Sequence, residues 1–427
     1  METLQISEHS RNDAWSRRDA WKIVILLFIF QVINYAAKTV FGLSGNQMVS
    51  ELQLTNTQFG ELGSAFYFLF PFAGMLAGIL SIRFSTKMIM FWMCALWALS
   101  LIPMMGHVTF TGLLLSRMLL GAAEGPAFAI QIHAVHKWFP DRARAIPTSV
   151  VISGASIGTG IIAPVLVPII RDYNWHAAYG FVGAVAVIWC VIWLFVGKEG
   201  TVNEHSGQES SSASVSFAKL LFNPTAIGFY IGGFASYTLI SLNTVWVARY
   251  LTKSLGYSAG QTANIFVIAS IVWMISLPGT AYISQRLSER GVSGRIARGG
   301  VACASLLISG LAILGMSSTS AGILNIIMIA PAFTLGTSFL TLGPLMVGQF
   351  CPERQRGAVF AIMNAILTTA GMITPVLFGK IVDSYSTIVE GSHSGFHWEG
   401  LFVVGCAIVA FFLINPDRER SKILGKR

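Results

Sequence analysis

The chain has 427 residues, of which 54% are hydrophobic and 11% are charged, and its net charge is +9. Soluble domains carry about 25% charged residues. Less than half that share, with repeated apolar runs of about 20 residues, excludes a soluble or secreted enzyme and predicts a polytopic helical membrane protein. The positive charge does not indicate nucleic-acid binding, because the basic residues collect in alternate loops.

Twelve apolar runs are candidate membrane-spanning helices, so the predicted fold class is an all-α membrane protein. Each run can cross about 30 Å of hydrocarbon at about 1.5 Å per residue. No cleavage site follows "WSRRDAWK" (15–22), and the first span is predicted to remain in the protein. The predicted spans are 22–46, 58–82, 87–106, 110–136, 145–170, 177–196, 222–248, 261–283, 297–316, 321–347, 356–381 and 398–415.

Lysine and arginine are distributed unevenly between the loops. With a cytoplasmic N-terminus, the cytoplasmic segments carry 22 of these residues and the outer segments carry four, while Lys38 and Arg117 lie within spans. Basic residues favour the cytoplasmic side of a membrane. The sequence therefore predicts a multi-pass protein of the cell inner (plasma) membrane with both termini in the cytoplasm.

A polar, Ser-rich segment at 197–216 separates the first six spans from the last six. Its composition predicts a flexible cytoplasmic connector. The predicted organisation is an N-terminal six-helix half (1–196), a linker (197–220) and a C-terminal six-helix half (221–427).

Two pairs of short loop sequences indicate that these halves are duplicated. "SIRF" (81–84) follows the second span and "SQRL" (284–287) follows the eighth. "FPDRARA" (139–145) follows the fourth span and "CPERQRG" (351–357) follows the tenth. Matches at equivalent loops predict parallel repeats, and hence two pseudo-symmetric halves.

Lys38 lies deep in the first span, within "INYAAKTVFG" (33–42), about 22 Å from its cytoplasmic end. An isolated charge there costs about 2.5–3.5 kcal/mol. Two interpretations remain open: Lys38 is a buried strut, or its ammonium captures an anionic substrate. Asn34 and Tyr35 share its helix face and would supply a neutral donor and a phenol beside the charge.

Glu124 lies at a similar depth in the fourth span, about 18 Å from the cytoplasmic end, and is predicted to be the only deep carboxylate of either half. A buried carboxylate can accept and release a proton, or it can simply neutralise Lys38 or Arg117. Arg117 lies seven residues earlier on nearly the same face, and we predict a gating or structural role for it.

The second half is predicted to lack a mid-membrane charge. Its candidate site residues are Trp246 and Tyr237, although aromatic residues in apolar helices usually serve packing. The five cysteines and eight histidines show no metal-ligand spacing, and no metal or cofactor is predicted.

Four longer motifs carry a resemblance to a known family. They are "INYAAK", "RMLLGAAEGPAF" (117–128), "KWFPDRARA" (137–145) and "NAILTTAGMITPVLFGKIVD" (364–383). The chain resembles the major facilitator superfamily. More narrowly, it resembles the anion:cation symporter family of bacterial hexonate, hexuronate and aromatic-acid carriers and vesicular glutamate and sialic-acid carriers. The resemblance covers nearly the whole chain and implies the major facilitator fold.

The sequence departs from this family at the positions expected to bind substrate. The family's first-helix Asp-Arg pair is Ala37-Lys38 here, its second-helix tyrosine falls on Phe70, and its fifth-helix glutamine falls on Ser156. The resemblance implies that Phe70, Ser156 and Asn364 contact substrate, and that Glu124 takes part in proton coupling. Lysine makes a point contact where arginine grips a carboxylate with two parallel bonds.

These features together predict a secondary active transporter that takes up a small organic carboxylate, such as a sugar acid or an aromatic acid, with protons. The expected partners are this anion, protons and the lipid bilayer, and the expected state is a monomer. Its two halves would rock about a central site.

Two other functions remain open. The departures at Ala37 and Phe70 leave room for an exporter of a drug, a siderophore or a metabolic acid. The loop aspartates of the family fall on Ile82 and Gln285, which leaves a non-transporting sensor possible. A membrane-bound enzyme would need a nucleophile-base pair or metal ligands, and the sequence shows neither pattern.

Overall fold

The structure, a computed structural model, describes residues 2–81, 83–139, 143–200 and 215–425, with the backbone only for 2–17 and 353–354. This part of the chain is helical and contains no β-strand. Twelve of its helices are long and apolar enough to cross a membrane. They are α1 (Arg18–Glu51), α2 (Asn56–Leu80), α3 (Thr86–Met105), α4 (Phe110–His136), α5 (Ala145–Asp172), α6 (Trp175–Val196), α7 (Pro224–Val245), α8 (Ala259–Glu289), α9 (Arg295–Ser317), α10 (Ile323–Val347), α11 (Gln355–Asp383) and α12 (Ile388–Leu413).

Short polar caps fix where several of these helices begin. Thr55 accepts a hydrogen bond from the Gln58 amide while the Gln58 side chain accepts one from the Thr55 amide. Ser258 and Gln261 form the same reciprocal arrangement. This arrangement satisfies amide groups that a helix start leaves unpaired. The two caps open α2 and α8, the second helices of the two predicted halves.

The predicted spans overlap all twelve helices, and the largest shift is at α12. This helix begins at Ile388, ten residues before the predicted start at 398. Its first turns are polar and glycine-containing, "IVEGSHSGFHWEG", and the early turns are partly covered because Gly391 and Gly395 pack directly against α11. The earlier start places Glu399 in the middle of a span.

The bundle has two different ends, which we call the linker end, where α6 runs into residues 197–200, and the far end, where α1 meets α2. Among the described residues, the hydrogen bonds that join the two halves lie toward the far end. Asp383 at the end of α11 accepts four hydrogen bonds of 2.6–3.2 Å from Asn56 and Thr57, which open α2. Asn46 of α1 donates to Thr252 after α7, at 2.7 Å.

Helix α2 approaches α4 so closely that only glycine fits at Gly121. A Cβ atom there would lie 1.6 Å from the carbonyl oxygen of Phe66. At Gly78, which lies in α2, a Cβ atom would meet nothing within 4 Å. Comparing substitutions at Gly121 and Gly78 therefore separates the effect of close packing from the general effect of replacing a helical glycine.

We expect Gly121→Ala to destabilise the protein by about 3 kcal/mol or more, because the α2 backbone has to move to admit the methyl group. The apparent melting temperature in detergent should fall by about 5 °C or more. Gly78→Ala is the matched control and should leave it unchanged or slightly raised, since alanine favours the helix. Equal melting temperatures for the two variants would contradict the close approach.

The start of the predicted linker is held against the N-terminal half rather than free. Glu199 accepts hydrogen bonds from the Thr86 and Lys87 amides, at 3.1 and 3.0 Å, and pairs with Lys137 of the α4–α5 connection. In the second half, Asp417 accepts a hydrogen bond from the Arg295 amide at the start of α9. The rest of the predicted Ser-rich connector, 201–214, lies outside the described residues.

Glu199 should make stability depend on pH. Burial favours its neutral form, but the hydrogen bonds from Lys137 and the α3 amides hold the pKa of Glu199 below its usual range. Such a carboxyl contributes stability above its unfolded-state pKa, about 4.3, and the contribution is lost as the pH falls through the folded-state pKa.

We therefore expect Glu199→Gln to lower the melting temperature at pH 7, and the gap from the unchanged protein to narrow below about pH 4. The readout is a thermal unfolding series in detergent from pH 7 to pH 3.5. Glu289→Gln is the control, because its side chain is 51% exposed and it also lies at the linker end. A gap that stays constant over this range would exclude the proposed contribution of ionised Glu199.

Candidate functional site

The centre of the N-terminal half holds a buried ion pair. Lys38 Nζ lies 3.1 Å from Glu124 Oε2, and the side chains are 13% and 0% exposed. Lys38 also donates a hydrogen bond of 2.9 Å to Asn34 Oδ1. The rise per residue predicted that Lys38 and Glu124 lie at similar depth. The packing of α1 beside α4 brings the two side chains into contact.

Several polar atoms of this pair are left without a hydrogen-bond partner. Among the described residues they are Asn34 Nδ2 and the two carboxylate oxygens of Glu124, one of which is in ion-pair contact with Lys38. Buried polar atoms in proteins nearly always have partners. The site therefore has unused capacity for a polar ligand, and Lys38 supplies the positive charge beside it.

Aromatic rings surround the Lys38 ammonium. Its Nζ atom lies 4.4 Å from the centroid of the Tyr35 ring, 5.7 Å from that of Phe66 and 5.9 Å from that of Phe70. A cation within about 6 Å of a ring centroid is attracted by the ring quadrupole. These contacts hold the ammonium in place without neutralising it, so it remains available to an anion.

Two aromatic pairs bring the second half to this site. The Tyr35 and Trp273 rings lie 6.0 Å apart, and the Tyr67 and Tyr237 rings lie 6.3 Å apart. Each pair joins one half to the other. Motion of one half against the other would separate these rings, so the walls of the site depend on the arrangement of both halves.

Sequence reasoning named Tyr237 but missed Tyr67 and Trp273. The sequence contains only a weak indication of these two residues. Four of the six residues in "AFYFLF" (65–70) are aromatic, so Tyr67 does not stand out, and Trp273 lies in an ordinary apolar run. Tyr67 does precede Phe70 by three residues, which places the two on one helix face. Only the approach of the halves distinguishes these rings from packing residues.

Three predicted substrate-binding residues do not join the Lys38 cluster. Ser156 is buried in α5, immediately before the widened turn Ile157–Ile161, and Asn364 is exposed on α11. Trp246 is 1% exposed, and its indole N–H donates to the Pro375 carbonyl at 3.0 Å. Trp246 therefore packs α7 against α11 toward the far end.

Arg117 is also buried, at 3% exposure, and lies on the far-end side of Glu124 in α4. Its Nε atom donates to the Leu62 carbonyl at 3.3 Å, and its guanidinium carbon lies 4.1 Å from the centroid of the Phe41 ring. Arg117 thus joins α4 to α1 and α2. Its gating or structural role remains a prediction.

The prediction that Glu124 is the only deep carboxylate was wrong. Glu399 lies in the middle of α12 and is hydrogen-bonded to the Thr238 hydroxyl of α7. The prediction failed because the late start assigned to the last span placed Glu399 at a helix end.

Arg249, which directly follows the predicted seventh span (222–248), is only 5% exposed. It lies toward the far end of the second half. It donates to Asn46 and covers the Phe59 and Trp246 rings.

Comparison with known proteins agrees with this architecture. Residues 27–342 match the Major Facilitator Superfamily. The chain belongs to the Major Facilitator Superfamily. This facilitator is similar in fold to a bacterial homologue of the human lysosomal transporter Spinster, with a TM-score of 0.76 at 16% identity, over 95% of this chain and 98% of that one.

The curated relatives extend over almost the whole facilitator. It is 25% identical to the hexuronate transporter of Bacillus subtilis (strain 168), over 96% of each chain. It is also 25% identical to a probable galactarate/D-glucarate transporter of Escherichia coli (strain K12), over 94% of each chain. These relatives confirm the predicted resemblance to organic-anion carriers, and the chain is a multi-pass membrane transporter rather than an enzyme.

Proposed function

We propose that this facilitator takes up a small organic carboxylate together with protons, with the anion bound at Lys38. The observation that carries the proposal is the buried Lys38–Glu124 pair with its unpartnered polar atoms. An ammonium surrounded by neutral rings and one carboxylate is a binding site for a single competing carboxylate. A sugar acid is also the kind of substrate for which the related transporters are named.

Binding and proton uptake are linked through competition for Lys38. A substrate carboxylate that approaches Nζ takes the position of the Glu124 carboxylate. Glu124 is then a buried charge without a cation, a state that is expensive enough to favour proton uptake. When the proton leaves, Glu124 recovers Lys38 and the substrate is released.

Alternating access is proposed from the positions of the contacts between the halves. These contacts lie toward the far end, and we propose that in this arrangement substrate reaches Lys38 from the linker end. Rocking of the halves would part Asp383 from α2 and open the opposite side. The residues of the Lys38 site all belong to one chain, which supports a monomer as the transporting unit.

Ser156 and Asn364 remain predicted substrate contacts.

The proposal is tested with purified protein in liposomes. Uptake of radiolabelled D-glucuronate and D-galactonate is measured with an acidic outer buffer and with equal pH on both sides. We expect accumulation above the outer concentration only with the pH gradient. Uptake that is unaffected by the gradient would overturn proton coupling. Accumulation only when the interior is made the acidic side would indicate an exporter.

The orientation of the chain is a separate proposal. We expect residues 197–216 and both termini to lie in the cytoplasm of the inner membrane, because of the uneven distribution of lysine and arginine. An alkaline phosphatase fusion after Gly207 should be inactive, and a green fluorescent protein fusion at the same position should fluoresce. The reverse pattern would overturn this orientation.

A further inference from the structure

We infer that each transport cycle carries one monocarboxylate with one proton, so that transport moves no net charge across the membrane. This inference rests on the proposed function and specifies both its stoichiometry and its substrate class. It is drawn from the balance of charges in the membrane interior. Three parts of the structure enter this balance: the Lys38–Glu124 pair, the two other buried cations, and Glu399.

The charges that face Glu124 set the balance at the site. From α1 it contacts Lys38, whose ammonium lies over the Tyr35 ring. From α2, Tyr67 packs against Phe70, another ring beside this ammonium. On its own helix Arg117 lies two turns away and is engaged with Leu62 and Phe41. The titratable groups of α3 and α5 do not reach it in the described part of the chain. Lys38 is therefore the single cation that contacts Glu124, and Glu124 is its single acid.

An exchange of partners at Lys38 conserves the charge of the site. In the empty site the pair consists of one ammonium and one carboxylate. In the loaded site the ammonium faces the substrate carboxylate, and Glu124 carries the proton that it gained when its cation was taken. The arriving anion and the arriving proton cancel, so the empty and loaded sites carry the same charge. Both can reorient without moving charge through the membrane potential.

Glu399 does not add a second exchangeable proton. The Thr238 hydroxyl has one hydrogen, and two acceptors lie within reach of its oxygen: the Ala235 carbonyl at 2.7 Å and Glu399 Oε1. If Glu399 is protonated, its O–H donates to Thr238, whose own hydrogen serves Ala235, and every donor is used. An ionised Glu399 would have no cation within 4 Å among the described residues, which is costly in a membrane.

A second substrate carboxylate would need a cation other than Lys38. Two buried guanidinium atoms, Arg117 Nη1 and Arg249 Nη1, have no hydrogen-bond partner among the described residues. The guanidinium of Arg117 is covered by the Phe41 and Phe66 rings and bound to the Leu62 carbonyl. Arg249 lies at the far end and is engaged with Asn46. Lys38 can meet one carboxylate as a point charge. The Phe66 ring contacts both Lys38 and Arg117, so a second carboxylate would have to displace this ring to reach Arg117. At Lys38 alone a dicarboxylate brings an unbalanced charge, and the site therefore selects monocarboxylates.

The test separates the two driving forces in liposomes that contain the full chain. D-Glucuronate is the monocarboxylate probe and D-galactarate the dicarboxylate probe. One arm applies a pH gradient with the potential held at zero by valinomycin and equal potassium. The other applies an inside-negative potassium diffusion potential of about 100 mV at equal pH. We expect D-glucuronate to accumulate about tenfold per pH unit and to respond less than about twofold to the potential.

Each outcome bears on a different claim. A cycle that moved one net charge would approach about 50-fold accumulation at 100 mV, and such accumulation would overturn the one-to-one ratio while leaving the proposed function intact. Proton-driven accumulation of D-galactarate at the rate of D-glucuronate would overturn the monocarboxylate preference. Absence of proton-driven uptake of both probes and of D-galactonate would overturn the proposed function itself.

Glu399→Gln isolates the role of the second carboxyl. Glutamine keeps a hydrogen donor for Thr238 and cannot release a proton, so the rate, the response to pH and the response to potential should match those of the unchanged protein. A loss of proton-driven accumulation with retained exchange would identify Glu399 as a second proton carrier and overturn the one-proton count. If this variant does not fold, the potential measurement on the unchanged protein decides the ratio alone.

Discussion

Lys38→Ala is expected to abolish binding of a carboxylate substrate while the protein stays folded and inserted. Truncation of one partner of a buried charge pair costs about 2 kcal/mol or more, which is at least about a 30-fold weaker affinity. Folding should survive because Glu124, once its cation is gone, can take a proton and become neutral. The measurement is isothermal titration of the purified variant with D-glucuronate.

Two further variants control for charge and for surface effects. Lys38→Arg should retain part of the affinity, because the charge survives although its geometry changes. Lys22→Ala removes a lysine of the same helix whose side chain is 51% exposed, and it should bind as well as the unchanged protein. If Lys38→Ala binds D-glucuronate with unchanged affinity, Lys38 is a strut and the proposed anion site lies elsewhere.

Glu124→Gln is expected to separate binding from coupling. The amide keeps the shape of the carboxyl and resembles its protonated form, so the variant should bind substrate and exchange it across a vesicle membrane. It should lose accumulation, with an inside-to-outside ratio of about one where the unchanged protein reaches about tenfold per pH unit. Counterflow of labelled D-glucuronate measures exchange, and uptake under an imposed pH gradient measures accumulation.

Glu61→Gln is the control for this variant. Glu61 is another acid of the N-terminal half that lies within a span, but it is only partly buried and lies toward the far end of α2. This substitution should leave both exchange and accumulation in place. If Glu124→Gln loses both activities, Glu124 is mainly a structural partner of Lys38. Accumulation by Glu124→Gln under a pH gradient alone would mean that another group carries the proton.

The positions of the helices could be predicted because they follow from local properties of the chain. An apolar run of about 20 residues has to satisfy its backbone hydrogen bonds internally in lipid, which makes it a helix wherever it packs. The depth of Lys38 and of Glu124 followed from the rise per residue alone. The prediction failed at α12, where "IVEGSHSGFHWEG" is too polar to read as membrane-spanning, yet two of its glycines let α11 pack against it.

The contacts that make a site depend on helix rotation and on packing between distant segments, which local sequence does not specify. Equal depth allowed a Lys38–Glu124 pair, but the 3.1 Å contact required α1 and α4 to turn those faces toward each other. Asp383 caps a helix that begins 327 residues earlier, and Tyr67 meets Tyr237 across the interface between the halves. The sequence by itself therefore determined twelve membrane-spanning helices with two opposite charges, Lys38 and Glu124, at similar depth. Only the tertiary structure decided which rings surround Lys38, because that depends on which helix faces pack together. It also decided that Glu399 lies within a span, because the packing of Gly391 and Gly395 against α11 lets α12 begin at Ile388.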